Sequence, residues 1–128
     1  MEPKETITIT EEIPPDTTEE FVHEFTSEGT ISGISIDTYR GHEFGLRYFF
    51  VLERTDGENV LNLFQPIARE FIAGNGESFD LGVRREVEQG DVLTVKVQNI
   101  SDQYLYHANA RIELDQERGP LSQLMEVF

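Results

Sequence analysis

The sequence predicts an all-β fold, an antiparallel β-sandwich with a short C-terminal helical tail. Two observations predict the sandwich. Apolar and polar residues alternate at period two along most of the chain, the pattern of strands with one buried face. Turn pairs such as Asp56-Gly57, Asn75-Gly76 and Gly90-Asp91 recur between these runs, at spacings typical of sandwiches and barrels. The tail rests on a third. After Gly119-Pro120, the residues Leu121, Leu124, Met125 and Phe128 fall at i, i+3, i+4 and i+7, one face of two helical turns.

The elements follow in order. Ile7 and Ile9 alternate with Thr6, Thr8 and Thr10, a β-branched strand that Pro14-Pro15-Asp16 ends. Phe21, His23 and Phe25 share one face of the next strand. Ile31 takes one parity and Ile34 and Ile36 the other, so Gly33 is expected to mark a bulge where the register flips. Residues 46–52 (LRYFFVL) are apolar on both parities, which predicts a central strand covered on both faces. Asp56-Gly57 is a hairpin signal leading to a strand near 60–64. Pro66 and Gly74 stand at helix-start and C-cap positions, so residues 66–74 are read as a short helix in preference to a strand. Phe79, Leu81 and Val83 form the following strand, and Leu93, Val95 and Val97 the one after it. The last strand sets Tyr104, Tyr106, Ala108, Ala110, Ile112 and Leu114 on one face.

A chain of 128 residues fits one domain. Asp and Glu total 25 against 10 Lys and Arg, a net charge of -15, and Lys4 and Lys96 are the only lysines. Such a surface repels phosphate backbones and anionic membranes, so neither nucleic acid nor membrane is expected as a partner. Few lysines beside many carboxylates point to adaptation to high salt. There are no cysteines, so no disulfide is available. Residues 1–5 (MEPKE) have neither the basic nor the apolar run of a secretion signal.

No motif carries catalysis. His23, His42 and His107 are never paired at metal-ligand spacing, and no cofactor is expected. Glu11-Glu12 and Glu19-Glu20 are what chance adjacency gives in so acidic a chain, and read as solvated faces. Neither a nucleophile elbow nor a phosphate-cradling glycine loop occurs. Asn99-Ile100-Ser101 is a formal glycosylation sequon, read here as a turn. Among the aromatics, Tyr39 and Phe44 are candidates for stacking on a ligand, whereas alternation assigns Tyr104 and Tyr106 to the core.

Residues 87–99 (VEQGDVLTVKVQN) run from a Gly-Asp turn into a long alternating strand and an Asn-bearing turn. This resembles jelly-roll and related β-sandwich virion proteins. With the acidic surface, the resemblance is to capsid, turret or decoration proteins of haloarchaeal viruses. It implies a single jelly roll over residues 18–115, an extended arm or first strand over 1–17 and a docking tail over 116–128. It further implies a non-enzymatic homo-oligomer located in the virion, assembled in the host cytoplasm. Its partners would be copies of itself and other virion proteins, with a glycan or host receptor as a further possibility. Ile7 and Ile9 on the arm and Leu121, Leu124, Met125 and Phe128 on the tail are the candidate interface residues. The alternative is a carbohydrate- or receptor-binding sandwich. A small hydrolase ranks below both.

The charge makes a direct prediction. Thermal melts followed by circular dichroism should rise from about 0.05 M to about 2 M KCl, as the screening length falls from more than about 10 Å to less than about 3 Å. Equal melting temperatures at the two concentrations would remove the high-salt reading.

Overall fold

The structure is a computed structural model and describes residues 4–55 and 60–116. Its strands are β1 (Lys4–Ile13), β2 (Thr18–Glu24), β3 (Gly29–Asp37), β4 (Leu46–Glu53), β5 (Val60–Asn62), β6 (Ser78–Leu81), β7 (Arg85–Val87), β8 (Val92–Asn99) and β9 (Tyr106–Gln116). They pair as nested hairpins: β1 with β9, β2 with β8, β3 with β6 and β7, and β4 with β5. β6 and β7 meet the same strand on either side of Gly82, Val83 and Arg84, and so behave as one interrupted strand. The chain is therefore a single long hairpin rolled upon itself. Rolling sets β9 against β3 and β8 against β4. Two antiparallel sheets result, of order β1-β9-β3-β6 and β2-β8-β4-β5, the arrangement of a jelly roll.

The alternation read from sequence becomes the core. Ile34 and Ile36 of β3, Tyr48, Phe50 and Leu52 of β4, Leu93, Val95 and Val97 of β8, and Ala108, Ala110, Ile112 and Leu114 of β9 are all buried. The bulge in β3 lies where parity placed it. Ile31 pairs with Leu114 and Gly33 with Glu113, so Ser32 is the extra residue. The insertion lets Ile31, Ile34 and Ile36 all face inward despite their mixed parity. On the outer face of β4, Phe49 and Phe71 approach to 5.5 Å and Arg47 lies 4.7 Å over the Phe71 ring. The expected double cover of this strand is thus partial, because its outer side chains remain half-exposed.

Three expectations are corrected. Residues 66–74 form no α-helix. A single 3-10 turn at Gln65–Ile67 ends at Ala68 in the left-handed region, and the chain then extends so that Ile72 bridges Tyr48. Edge pairing with β4, vacated where β5 ends, outcompetes a helix. Val83 is buried but belongs to neither β6 nor β7. Tyr104 is 60% exposed and precedes β9, because the turn keeps it outside the sheet. The Asp56-Gly57 turn lies outside the described residues, although β4 and β5 on either side of it do pair.

Two polar contacts tie the layers and the strand ends. The buried Tyr48 hydroxyl accepts the Asn109 backbone N–H at 3.1 Å, linking the two sheets just beyond the last β3–β9 pair, Ile36 with Ala110. Burial pushes this phenol up to about 12, against the smaller opposing effect of the Asn109 hydrogen bond. At the other end of the sandwich Asp91 is fully buried. It accepts from Arg54 Nη1 (2.8 Å), the Thr55 N–H (3.0 Å) and the Glu88 N–H (2.9 Å). Burial alone would raise its pKa, but these hydrogen bonds outweigh it and hold the carboxyl below its ordinary value.

A carboxylate with a depressed folded pKa contributes stability above its unfolded pKa and loses it as the pH falls through the folded value. Stability is expected to decline as the pH drops below about 4, and Asp91→Ala should reduce that dependence. Asp91→Ala should also lower stability by about 1–3 kcal/mol for each buried donor left without an acceptor. Urea unfolding across the acid range checks both. An unchanged midpoint in the variant would show that Arg54 and the two amides find other partners.

Candidate functional site

Rolling the hairpin gathers several connections at one end of the sandwich. They are residues 14–17 between β1 and β2, 38–45 between β3 and β4, 73–77 before β6, and 100–105 between β8 and β9. Backbone hydrogen bonds stitch them together: Asp16 N–H to Ser101 O, Ile100 N–H to Gly45 O (both 2.9 Å) and Phe44 N–H to Gly74 O (3.1 Å).

Asn99 is the hub. Its buried amide donates to the carbonyls of Ile13 (2.9 Å) and Tyr104 (2.8 Å), and its oxygen accepts the Ser101 N–H. A side chain so engaged cannot carry a glycan, so the sequon is a turn device. Asn75 plays the second part, its Oδ1 accepting the N–H groups of Gly41 (2.8 Å) and Glu43 (3.2 Å). That contact holds Glu43 (φ 50°) and Phe44 (φ 62°) in the left-handed region, where residues other than glycine are uncommon.

On this scaffold sits an aromatic groove of about 500 Å³, lined by Tyr39, Arg40, Gly41, His42, Leu105, Tyr106 and His107. His42 is buried at its base, with ring centroids 5.2 Å from Tyr39 and 4.6 Å from Tyr106. Gly45 makes this packing possible: a Cβ there would stand 2.6 Å from Tyr106 Cε2 and 2.8 Å from the His42 carbonyl oxygen. The Tyr39 hydroxyl accepts from Asn109 Nδ2 at 3.1 Å, which fixes its ring. Around the groove, Phe44 (56% exposed), Tyr104 and Leu105 stand in solvent, as does Ile100. Flat aromatic walls with an arginine at the rim suit a planar or apolar partner.

The structure thus places Tyr39 in the groove wall and Phe44 on the same loop outside it. His42, Tyr106, Leu105 and His107 were not singled out from sequence as groove residues, since nothing in the spacing of 39–42 and 105–107 foretells their meeting. Ile9 is buried in the sandwich's own core, and Ile7 packs against that core from the same face of β1. Leu121, Leu124, Met125 and Phe128 lie outside the described residues. Among the described residues no three His, Asp or Glu side chains converge as a metal site.

No protein-family model and no curated protein sequence matches this chain. Among solved structures, it is similar to a chain of the infectious bursal disease virus Gx strain structure, with a TM-score of 0.46 and 12% identity. The match covers 91% of this chain and 33% of that one, so this chain spans about a third of its length.

Burial, and the nearby His107, lower the pKa of His42. A histidine with a depressed folded pKa supports the fold above its unfolded value of about 6.5 and withdraws that support as the pH falls through the folded value. Acidification from about pH 8 to about pH 5 should therefore loosen the groove. With no tryptophan in the chain, near-ultraviolet circular dichroism reports this through the tyrosines. The change is expected to vanish in His42→Gln. A spectrum indifferent to pH in the unaltered protein would mean that His42 does not govern the groove.

Proposed function

We propose that the chain is a non-enzymatic structural component of a virus particle, of capsid, turret or decoration type, working in high salt and making contacts through its aromatic loop end. The observation that carries the reading is the cluster of Tyr39, Phe44, Ile100, Tyr104 and Leu105, all exposed and all mounted on loops locked by Asn99 and Asn75. Exposed apolar side chains gathered at one end of a domain mark an interaction surface. Rigid aromatics are effective there because little conformational entropy is lost when they are covered. The jelly-roll topology, the acidic surface and the resemblance of residues 87–99 to virion sandwiches favour self-assembly over other uses of such a surface. Fold alone does not fix function, which is why the loop end carries the argument. The virion, the host cytoplasm as place of assembly, and the homo-oligomer belong to this proposal.

The groove also favours a second reading. Tyr39 and Tyr106 walls beside Arg40 fit a sugar ring, which would make the chain a glycan- or receptor-binding sandwich.

Tyr39→Ala combined with Phe44→Ala separates the two. Phe44 is 56% and Tyr39 43% exposed, so the thermal melt should fall modestly, through the lost contacts of Tyr39 with His42 and Asn109. Light scattering in about 2 M KCl should show loss of the oligomer if the loop end is the assembly contact. Retained assembly with loss of binding on a glycan array selects the second reading. Retention of both in the double variant would sink the role of the loop end.

A further inference from the structure

The aromatic groove differs from other concave parts of the surface in its charge. Its lining comes from Tyr39–His42 and Leu105–His107 and contains no carboxylate among the described residues, in a chain with 25 acids. Cavities elsewhere are acidic: Glu28, Glu86 and Glu88 line one, and Glu11, Glu12 and Glu19 another. The acids around the groove lie outside its lining. Glu43 is exposed on the same loop, Asp102 is exposed in the turn before Leu105, and Glu12 pairs with His107 in the β1–β9 register. Asp37 is held by Arg111 at 3.6 Å, and Glu77 accepts the Asn75 N–H. Arg40, by contrast, is exposed, and its guanidinium has no ion-pair or hydrogen-bond partner among the described residues.

We propose that the groove binds a pyranose ring that carries a carboxylate, with the ring stacked on Tyr39 and Tyr106 and the carboxylate held by Arg40. This names the ligand class for the glycan-binding reading of the same groove, and rests on that reading. Three observations support it. The first is the pairing of flat faces with free hydroxyls. The Tyr39 hydroxyl accepts from Asn109 Nδ2, which leaves its own proton to donate, and the Tyr106 hydroxyl has no hydrogen-bond partner among the described residues. A ligand with an apolar face and a hydroxylated rim matches both, and the groove's volume of about 500 Å³ is that of a small-ligand site. The second is what the loop withholds. The N–H groups of Gly41 and Glu43 go to Asn75 Oδ1, that of His42 to the Tyr39 carbonyl, that of Phe44 to the Gly74 carbonyl and that of Gly45 to the His42 carbonyl. These amides therefore form no cradle for the several oxygens of a phosphate, whereas one planar guanidinium matches the two oxygens of a carboxylate. The third is the source of charge. Burial, and then His107, lower the pKa of His42, so His42 enters as a neutral ring and Arg40 is the groove's permanent cation.

Methyl glucuronide and methyl glucoside provide the test, since they differ only in a carboxylate against a hydroxymethyl group. Both are titrated into the isotope-enriched full chain in about 2 M KCl, where the net charge of the chain is screened to within about 3 Å. The glucuronide should shift the amide signals of Gly41, His42, Leu105 and Tyr106. It should bind about tenfold more tightly than the glucoside, the increment of one charge-assisted contact. Arg40→Gln should bring the glucuronide down to the glucoside's affinity and leave the glucoside unchanged, with amide signals elsewhere in the sandwich unmoved. Arg40→Lys should restore only part of the difference, because it keeps the charge and loses the fork. Equal affinities in the unaltered protein, or a preference that survives Arg40→Gln, overturn the carboxylate assignment and leave the glycan-binding reading standing. Benzoate binding as tightly as the glucuronide overturns the sugar, and inorganic phosphate displacing the glucuronide at equal concentration overturns the choice of anion. Binding of neither glycoside sinks this proposal and the glycan-binding reading together. An oligosaccharide ending in glucuronic acid separates the two sources of such a ring. Tighter binding than the methyl glycoside supports the end of a glycan chain as the ligand, and equal binding supports a free sugar acid.

Discussion

The pairing of β1 with β9 is the constraint on which the rest of the structure depends. It joins residues 4–13 to residues 106–115 in an unbroken antiparallel register, and every other hairpin is nested inside it. Without that closure, β9 would be a sheet edge, the core face formed by Ala108, Ala110, Ile112 and Leu114 would lose its cover by Ile7 and Ile9, and the loops of the aromatic end would have no common frame. The two alanines matter for a further reason. They flank Asn109 on β9, whose amide meets the Tyr48 hydroxyl from the opposite sheet, and small side chains there leave room for that ring. Such a closure brings together the most distant parts of the chain. It pays its loop entropy late, so the fold should form slowly for its size.

The two ends of the sandwich are built on different physics. At one end a fully buried carboxylate, Asp91, gathers an arginine and two backbone amides. Its neighbourhood is satisfied and polar, and it offers a partner little. At the other end the polar groups are also satisfied, through Asn99 and Asn75, but their effect is to present aromatic rings outward. Glu43 and Phe44 keep backbone conformations that they would not adopt freely. Backbone strain held by specific hydrogen bonds beside exposed aromatics is the pattern of a surface fixed in advance of contact, which lowers the ordering that binding would otherwise demand.

Much of the fold was legible because period-two alternation is a local property. The parity of Ile31 against Ile34 was enough to locate the bulge to within one residue, at Ser32 beside the expected Gly33, and the alternation from Ala108 to Leu114 was enough to assign the inner face of β9. What failed was decided at a distance. Residues 66–74 carry plausible helix boundaries, but the free edge of β4 beside Tyr48 draws Ile72 into a bridge. Tyr104 obeys the parity of β9, yet the Asn99 amide holds its carbonyl in the turn, outside the sheet. Asp91 looked like half of a turn pair, and only the approach of Arg54 and Thr55 shows it to be a buried acceptor. The groove was least visible of all, since the loop holding Tyr39 and His42 and the stretch 105–107 are brought together only by the rolled topology.

The distribution of charge gives the sandwich a direction. β1 and β2 are the edge strands on one side and carry exposed carboxylates at Glu5, Glu11, Glu12, Glu19 and Glu24, with Glu20 set against Lys96 at 3.6 Å. Charged edges are a common protection against edge-to-edge pairing, and in dilute salt these would repel any second copy that approached them. At multimolar salt that repulsion is screened to within about 3 Å, so charge alone no longer guards the edge. The opposite side also carries acids, Asp80 on β6 and Glu86 on β7, but sets Arg84 and Arg85 between them. It has a short strand, a broken strand, an apolar groove and two arginines. The same asymmetry leaves the aromatic loop end, which belongs to neither side, as the surface whose contacts depend least on salt.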